Sequence, residues 1–335
     1  MFLLRSADRR DVSGVLQLAK FLDSYNLAYD RDYIRSLLHV SEASFAGDLP
    51  KEEARYLFLL ENTSRREIVG CSLILAKHGT RESPHLYLDY FTERRTSKTL
   101  GKSVTHRCLK FGKETDGPTE VGGLVLKPPY RRHPQKLGFQ LSWIRFLYMA
   151  LHPGRFQRRV LVEFLPPLKT GGGNPFWESL GARFLGLSYH EADHLSIANK
   201  EFILSLFPKE KIYCDLLPEK ALQSLGQVGP QGVHASHVLQ RIGFRYLNQV
   251  EPFDGGPYYG APVGRISVIQ GARKAKAVVG KEGLRRQFVL AEKRGTVRAS
   301  VVRADGRGRR VVLAKETASS LKVSDGDPVI YVPFP

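Results

Sequence analysis

Cysteine is scarce in this chain: Cys71, Cys108 and Cys214 are the only three in 335 residues, widely spaced and in no paired motif. That excludes a disulfide framework and the paired-cysteine zinc modules, and it suits buried thiols in a reducing compartment. Long apolar runs are absent too; none approaches the roughly 20 residues that span a bilayer, so no membrane partner is expected. The opening MFLLRSADRRD meets charge after the short run Phe2–Leu4, which predicts no signal peptide and a cytoplasmic location. Acidic residues are in deficit, 33 against 51 Lys and Arg, for a net charge of +18. An excess of that size favours an anionic partner: nucleic acid, a membrane surface or a phosphorylated small molecule.

What is present reads as an ordinary globular chain, 42% hydrophobic and 25% charged, long enough for two domains or for one with an appendage. The charge is uneven. From Gly271 onward 15 Lys and Arg face 6 Asp and Glu, so half of the excess lies in the last 65 residues. The body is only mildly basic, which argues against a protein built throughout for nucleic acid.

Periodicity gives the order of elements. MFLLRSADRRDVSGVLQLAKFLD predicts a strand, a turn capped by Asp8, and a helix whose apolar stripe is Val12, Val15, Leu16 and Ala19. ARYLFLLENTSRREIVGCSLILA predicts a hairpin turning at Glu61–Ser64. EVGGLVL is an apolar strand, and GFQLSWIRFLYMAL has helical spacing. RRVLVEFLPPL predicts a strand and NPFWESLGARF a short helix broken by Gly181. FWESLGARF and VLQRIGFRY each predict a helix ending at Leu/Ile-Gly before an aromatic strand, a weak internal echo. GARKAKAVVGKEG reads as a linker, and the alternating remainder as a small all-β unit turning at Asp305–Gly306 and Asp325–Gly326.

The stretch YRRHPQKLGFQL, Tyr130 to Leu141, links the central strand to the next helix through Arg131, Arg132, His133 and Lys136. A cationic loop entering a helix reads either as a solvated turn or as a site for a phosphorylated ligand, since unpaired amides there bind anions. In this strand–loop–helix context, the chain resembles the GNAT superfamily of acyl-CoA N-acyltransferases, and more closely the arginine N-succinyltransferase family. The resemblance covers most of the first 265 residues. It is carried by GLVLKPPYRR with LSWIRFLYMA, by NPFWESLGARF, and most specifically by GQVGPQGVHASHVLQRIGFRYLNQVEPFDGGP.

The resemblance implies an α/β, tandem GNAT-like fold with mixed sheets: residues 1–195 as the acyl-CoA-binding domain, 196–270 as a second half completing the active site, and 271–335 as a basic linker and small β domain. It implies transfer of succinyl from succinyl-CoA to the α-amine of L-arginine, feeding arginine degradation, by a dimer or paired subunit. Arg131, Arg132, Gln135 and Lys136, with the amides of Leu137, Gly138 and Phe139, would hold the pyrophosphate, and Leu124, Val125 and Leu126 would line the donor. The superfamily carries two glycines in this loop, and Lys136 occupies the place of the first.

The family assigns acid–base work to a histidine in GQV-His-PQ, where this chain has Gly229 between Val228 and Pro230. His234 and His237, three apart on a predicted helix, are the nearby alternatives; histidine has a suitable pKa, and two helix histidines are also ordinary surface residues. An arginine substrate calls for a carboxylate. Asp254, beside Gly255 and Gly256, is the first candidate, with turn capping as its other reading; Glu178 is the second. The succinyl carboxylate calls for a cation, and the sequence does not single one out. HEADH, His190 to His194, matches a zinc pattern without a third ligand at the usual spacing, and no metal is expected. KTGGGNPF lacks the lysine of a phosphate loop and reads as a mobile loop. The tail has almost no aromatic residues to stack bases, so nucleic acid is not expected. Two alternatives stand beside the enzyme reading: a non-catalytic acyl-CoA- or arginine-binding regulator, and an acyltransferase for another amine or acyl-CoA.

Overall fold

The computed structural model describes residues 1–22, 27–167 and 173–335. The chain opens with β1 (Phe2–Ser6), α1 (Val12–Ala19), α2 (Arg31–Ala46), β2 (Arg55–Asn62) and β3 (Glu67–Leu75). A long hairpin follows, β4 (His85–Ser97) and β5 (Lys102–Glu114), then β6 (Thr119–Leu126), α3 (Leu137–Leu151) and β7 (Arg159–Glu163). Next come α4 (Pro175–Ser179), α5 (Gly181–Leu185), α6 (Tyr189–Ala198), α7 (Glu201–Leu206), β8 (Ile212–Tyr213), α8 (Glu219–Ser224) and α9 (Val233–Arg241). The remainder is β9 (Arg245–Val250), β10 (Pro257–Pro262), α10 (Ser267–Gly271), β11 (Arg273–Gly280), β12 (Arg285–Lys293), β13 (Thr296–Arg307), β14 (Arg310–Ala314), α11 (Lys315–Leu321) and β15 (Pro328–Pro333). The expected α/β architecture with mixed strand directions is present, with β11 and β14 parallel beside antiparallel neighbours.

Two compact units form, interleaved along the chain rather than consecutive: residues 1–77, 119–160 and 262–335 in the first, 78–118 and 161–261 in the second. The expected division after 195 and 270 follows the linear order and is a different partition from these units. Strand pairing, which joins segments distant in sequence, groups the chain differently from its linear order.

In the first unit β1, β2, β3 and β6 form an antiparallel sheet. Side chains alternate between the faces of a strand. Leu57, Leu59, Cys71, Leu73 and Val125 pack with Val15, Leu18, Leu37 and Leu38 from α1 and α2. On the other face Phe58 meets Tyr148 of α3 at 5.5 Å between ring centroids. Coverage on both faces explains why YLFLL is apolar without a break. Asp8 caps the turn into α1 as expected, accepting from the N–H of Arg10. The β2–β3 turn falls two residues later than expected: Asn62 still pairs with Glu67, and Arg66 takes a left-handed φ of 50° to close it.

The tail departs from its expectation. The supposed linker is β11, paired with β14 and β15, and β12–β15–β11–β14–β13 closes back on β12 as a five-stranded barrel. Leu4 of β1 pairs with Ala299 of β13. The all-β expectation misses α11, and Asp305–Gly306 lies within β13, whereas Asp325–Gly326 does turn, with Gly326 at φ 85°.

In the second unit the sheet runs β10–β9–β4–β5–β8. The expected echo between the two helix–glycine segments fails. Gly243 leads into β9, but Gly181 opens α5 and is a glycine where a β-carbon would sit 2.3 Å from the Trp177 ring.

Candidate functional site

The loop before α3 is built from strain and bracing. Arg132 and Lys136 both adopt left-handed φ, 57° and 54°, a conformation that costs an L-residue about 1–2 kcal/mol. This explains the missing glycine: Lys136 takes the backbone shape that a glycine would favour. The loop is held in that shape by its neighbours. Glu67 accepts from Tyr130 Oη (2.7 Å) and Lys127 Nζ (2.8 Å), and those bonds, Lys127 first, hold its carboxyl below the usual glutamate range. Phe2 packs edge-on against Tyr130 and His133, and Gln140 Nε2 donates to the carbonyl of Gln135 at 2.8 Å.

At the head of α3, Lys136 makes no side-chain cap and the first turn holds no acidic residue. The first N–H groups of a helix have no intrahelical partner. Among the described residues, those of Leu137 and Gly138 find no acceptor, and the space where a side chain at Gly138 would sit is open. The third expected amide is withdrawn: Phe139 N–H donates to Lys136 O at 2.9 Å, a closure that follows from the left-handed Lys136. Arg131, Arg132, Gln135 and Lys136, which precede the two open amides in the chain, are exposed. Arg131 Nε is anchored on the Leu126 carbonyl at 3.1 Å. Exposed cationic residues thus precede two free donors at a helix head, a combination suited to a phosphate group.

The strand feeding this loop carries a feature that the sequence reading passed over. Between the pairs Cys71–Val125 and Leu73–Gly122 the register of β6 slips by one residue, and Gly123 has φ 54°. This is a β-bulge, which re-aims side chains and is often found beside active sites. Its signal was the glycine pair inside an apolar strand. Leu124 follows the bulge and is half-buried, as is Leu126, but Val125 is buried in the α1–α2 core and its side chain cannot line a donor site.

In the second unit the signature stretches meet one another. Asn174 caps α4 and donates from Nδ2 to the Asp254 carbonyl at 3.2 Å, while Trp177 stacks on Phe253 at 5.1 Å. Asp254 is buried and its Oδ1 accepts from Gly256 N–H at 2.6 Å, the turn-capping role. Gly255 and Gly256 do allow close approach, but the protein takes it up: Phe176 lies 3.1 Å from a side-chain position at 255, and the Phe164 carbonyl 2.3 Å from one at 256. Glu178 is exposed on α4.

Gly229 donates to the Leu165 carbonyl at 2.8 Å, and a β-carbon there would stand 2.7 Å from Pro166 O. His234 and His237 lie on α9 and both are exposed. In HEADH, Glu191 caps its own helix through Ser188, and no group of three potential metal ligands occurs among the described residues. Lys169–Gly172 of the glycine-rich loop lie outside the described residues. Burial pushes the Cys71 thiol up to about 12 and Cys214 up to about 11, so neither is a ready nucleophile.

The sequence profile described as "Arginine N-succinyltransferase beta subunit" matches residues 2–268. The chain is 32% identical to arginine N-succinyltransferase of Citrobacter koseri over 338 residues, covering 99% of this chain and 97% of that one. It is 33% identical to the enzyme of the same name from Enterobacter sp. over 341 residues, with the same coverage. Among solved structures, it is similar to subunit AI of arginine/ornithine succinyltransferase from Pseudomonas aeruginosa, with a TM-score of 0.84, 30% identity, and 99% and 98% of the two chains covered.

Proposed function

The chain belongs to the arginine N-succinyltransferase family, and on that premise we propose that it moves a succinyl group from succinyl-CoA to the α-amine of L-arginine. The observation that carries the acyl-CoA part is the head of α3, where two open amides follow a loop with three exposed cationic residues, after a bulged strand. The full-length match to enzymes of that name supports the acceptor and the succinyl donor, and it does not favour the regulator reading.

Arg131, Arg132 and Lys136, with Leu137 and Gly138 N–H, hold the pyrophosphate, while Leu124 and Leu126 border the arm that carries the thioester. The α-ammonium of arginine loses a proton to water, with His234 or His237 as relay, and its lone pair attacks the thioester carbon. The tetrahedral oxyanion collapses and expels the CoA thiolate, which takes up a proton. Transfer is direct: the raised thiol pKa values of Cys71 and Cys214 do not support an acyl-cysteine intermediate. Glu178 is the exposed carboxylate for the guanidinium, since Asp254 is engaged in its own turn. A reducing, cytoplasmic setting agrees with three free cysteines, and the words "beta subunit" and "subunit AI" in the relatives' names support pairing with a second chain.

The test is thiol release from succinyl-CoA by the purified protein with and without L-arginine, with acetyl-CoA and ornithine run alongside. Arginine-dependent release is the expected result. Binding of CoA with no release from any pair would overturn the enzyme reading.

A further inference from the structure

Arg145, near the middle of α3, is 1% exposed. A buried guanidinium normally has a carboxylate beside it, because an unpaired buried charge is unstable. Here, among the described residues, no carboxylate pairs with it. Its partners are all neutral: Nε donates to Ser142 O at 3.2 Å, Nη2 to Ser142 Oγ at 3.1 Å, and Nη1 to Gly122 O at a long 3.5 Å, while the guanidinium carbon lies 5.6 Å from the centre of the Phe146 ring. Five N–H donors therefore meet three modest acceptors. Burial alone pushes its pKa down to about 9.

The position of this cation matters as much as its isolation. Gly122 is the residue of β6 that opens the bulge, and Leu124 lies two residues on. Opposite, on β3, Ser72 sits between Cys71 and Leu73, the two residues that flank the slip. Its hydroxyl is buried and, among the described residues, has no hydrogen-bond partner. Ser72 pairs with Phe58, which packs on Tyr148 of α3, so it faces the helix that carries Arg145. Two unrelated polar groups, a cation without an anion and a hydroxyl without a partner, thus share the bulged part of the sheet. Arg145 is about 12 Å along the helix from Leu137, at 1.5 Å per residue. That is a distance the two-amide pantetheine arm of CoA can cover from a pyrophosphate at the helix head.

We propose that Arg145, with Ser72 beside it, receives the free carboxylate of a dicarboxylic acyl group and so sets the acyl-donor preference. The proposal rests on the acyltransferase reading above. A carboxylate here would take two parallel N–H bonds from Nη1 and Nη2, replacing the weak one to Gly122. A neutral acyl chain of equal length would leave the guanidinium buried and unpaired.

The test compares succinyl-CoA with butyryl-CoA, which keeps four acyl carbons and lacks the charge, by calorimetric binding and by arginine-dependent thiol release. The wild type should favour succinyl-CoA by about 10²- to 10³-fold in kcat/KM, the range for leaving a buried charge unpaired. Arg145→Met should remove most of that preference by slowing succinyl transfer, with butyryl transfer and CoA inhibition near wild type. Arg145→Lys should keep the order of preference with a raised KM, and it decides the matter if the Met variant does not fold. The proposal falls if the wild type binds the two thioesters equally, or if either variant loses both substrates in proportion. Absence of any turnover in the wild type would refute the acyltransferase reading instead, and the binding comparison would still decide the role of Arg145.

Discussion

Putting histidine back at position 229 should not make this protein faster. The Gly229 N–H bonds to Leu165 O at 2.8 Å, Gly232 N–H bonds to Gly229 O at 2.9 Å, and a β-carbon would stand 2.7 Å and 2.9 Å from the carbonyl oxygens of Pro166 and Leu165. These are backbone atoms and cannot rotate away, so even alanine must push two chain segments apart. Overpacking of this kind costs about 1–3 kcal/mol, and loosening the two hydrogen bonds adds about 1 kcal/mol. Gly229→Ala should therefore lose about 2–4 kcal/mol, a fall in Tm of about 6–12 °C at about 3 °C per kcal/mol for a unit of this size. Gly229→His, with a ring to place as well, should lose at least as much and show no gain in arginine-dependent thiol release. Urea and thermal unfolding of both variants, with the thiol assay alongside, measure each part. A Gly229→Ala protein as stable as wild type, or a histidine variant that is tenfold faster, would refute the reasoning: position 229 would then be open to a side chain.

Other consequences can be measured in the same preparations. Lys136→Gly should relieve the left-handed strain and stabilise the protein by roughly 0.5–1 kcal/mol in urea unfolding. It should also weaken CoA binding and flatten its salt dependence, because a cation is lost; a loss of stability would count against the strain argument. At pH 8 Cys71, Cys108 and Cys214 should react with a thiol reagent far more slowly than free thiol, since burial raises all three pKa values. All three should react once guanidinium has unfolded the chain, and fast labelling of a native cysteine would contradict the burial. Glu67→Gln should raise the Kd for CoA two- to fivefold, the range for a surface ion pair. Because the Glu67 carboxyl is held below its usual range, its bracing is complete above the ordinary glutamate pKa and fails only as pH falls through the lowered value. CoA affinity that changed between pH 6 and 8 in wild type but not in the variant would contradict this assignment.

Much of the proposed donor-binding region lies on elements that were legible in the sequence, because β6 and α3 carry strong apolar patterns and the cationic loop between them has a chemical reading. The elements that were missed have weak or misleading patterns. RKAKAVVG reads as a linker, yet its small alanines face the barrel core while its lysines face water. The β4–β5 hairpin and α2 were passed over; the hairpin ends are exposed and rich in Arg, Lys and Thr, so the apolar signal is confined to its other end. Within the site, the left-handed turn at Lys136 was illegible because its residue type disfavours it. Arg145 hid in SWIRFLYMAL, where helical spacing shows which face is buried but not that a buried cation lacks an anion. Asp254 carried two readings, and only the hydrogen bond to Gly256 separates them.

The pairing of β1 with β13 bears on how the chain is made. Leu4 meets Ala299, and Ser300 Oγ bonds to Phe2 O, so β1 waits during synthesis for a strand made about 295 residues later. Until then one edge of β1 is open, and Leu3, a member of the barrel core, has nothing to pack against. An open edge of this kind invites pairing with other chains. Synthesis cut short before residue 300 should therefore leave an adhesive fragment rather than a smaller enzyme, and a fusion partner joined directly to Met1 would start within one residue of a strand that is hydrogen-bonded along both edges.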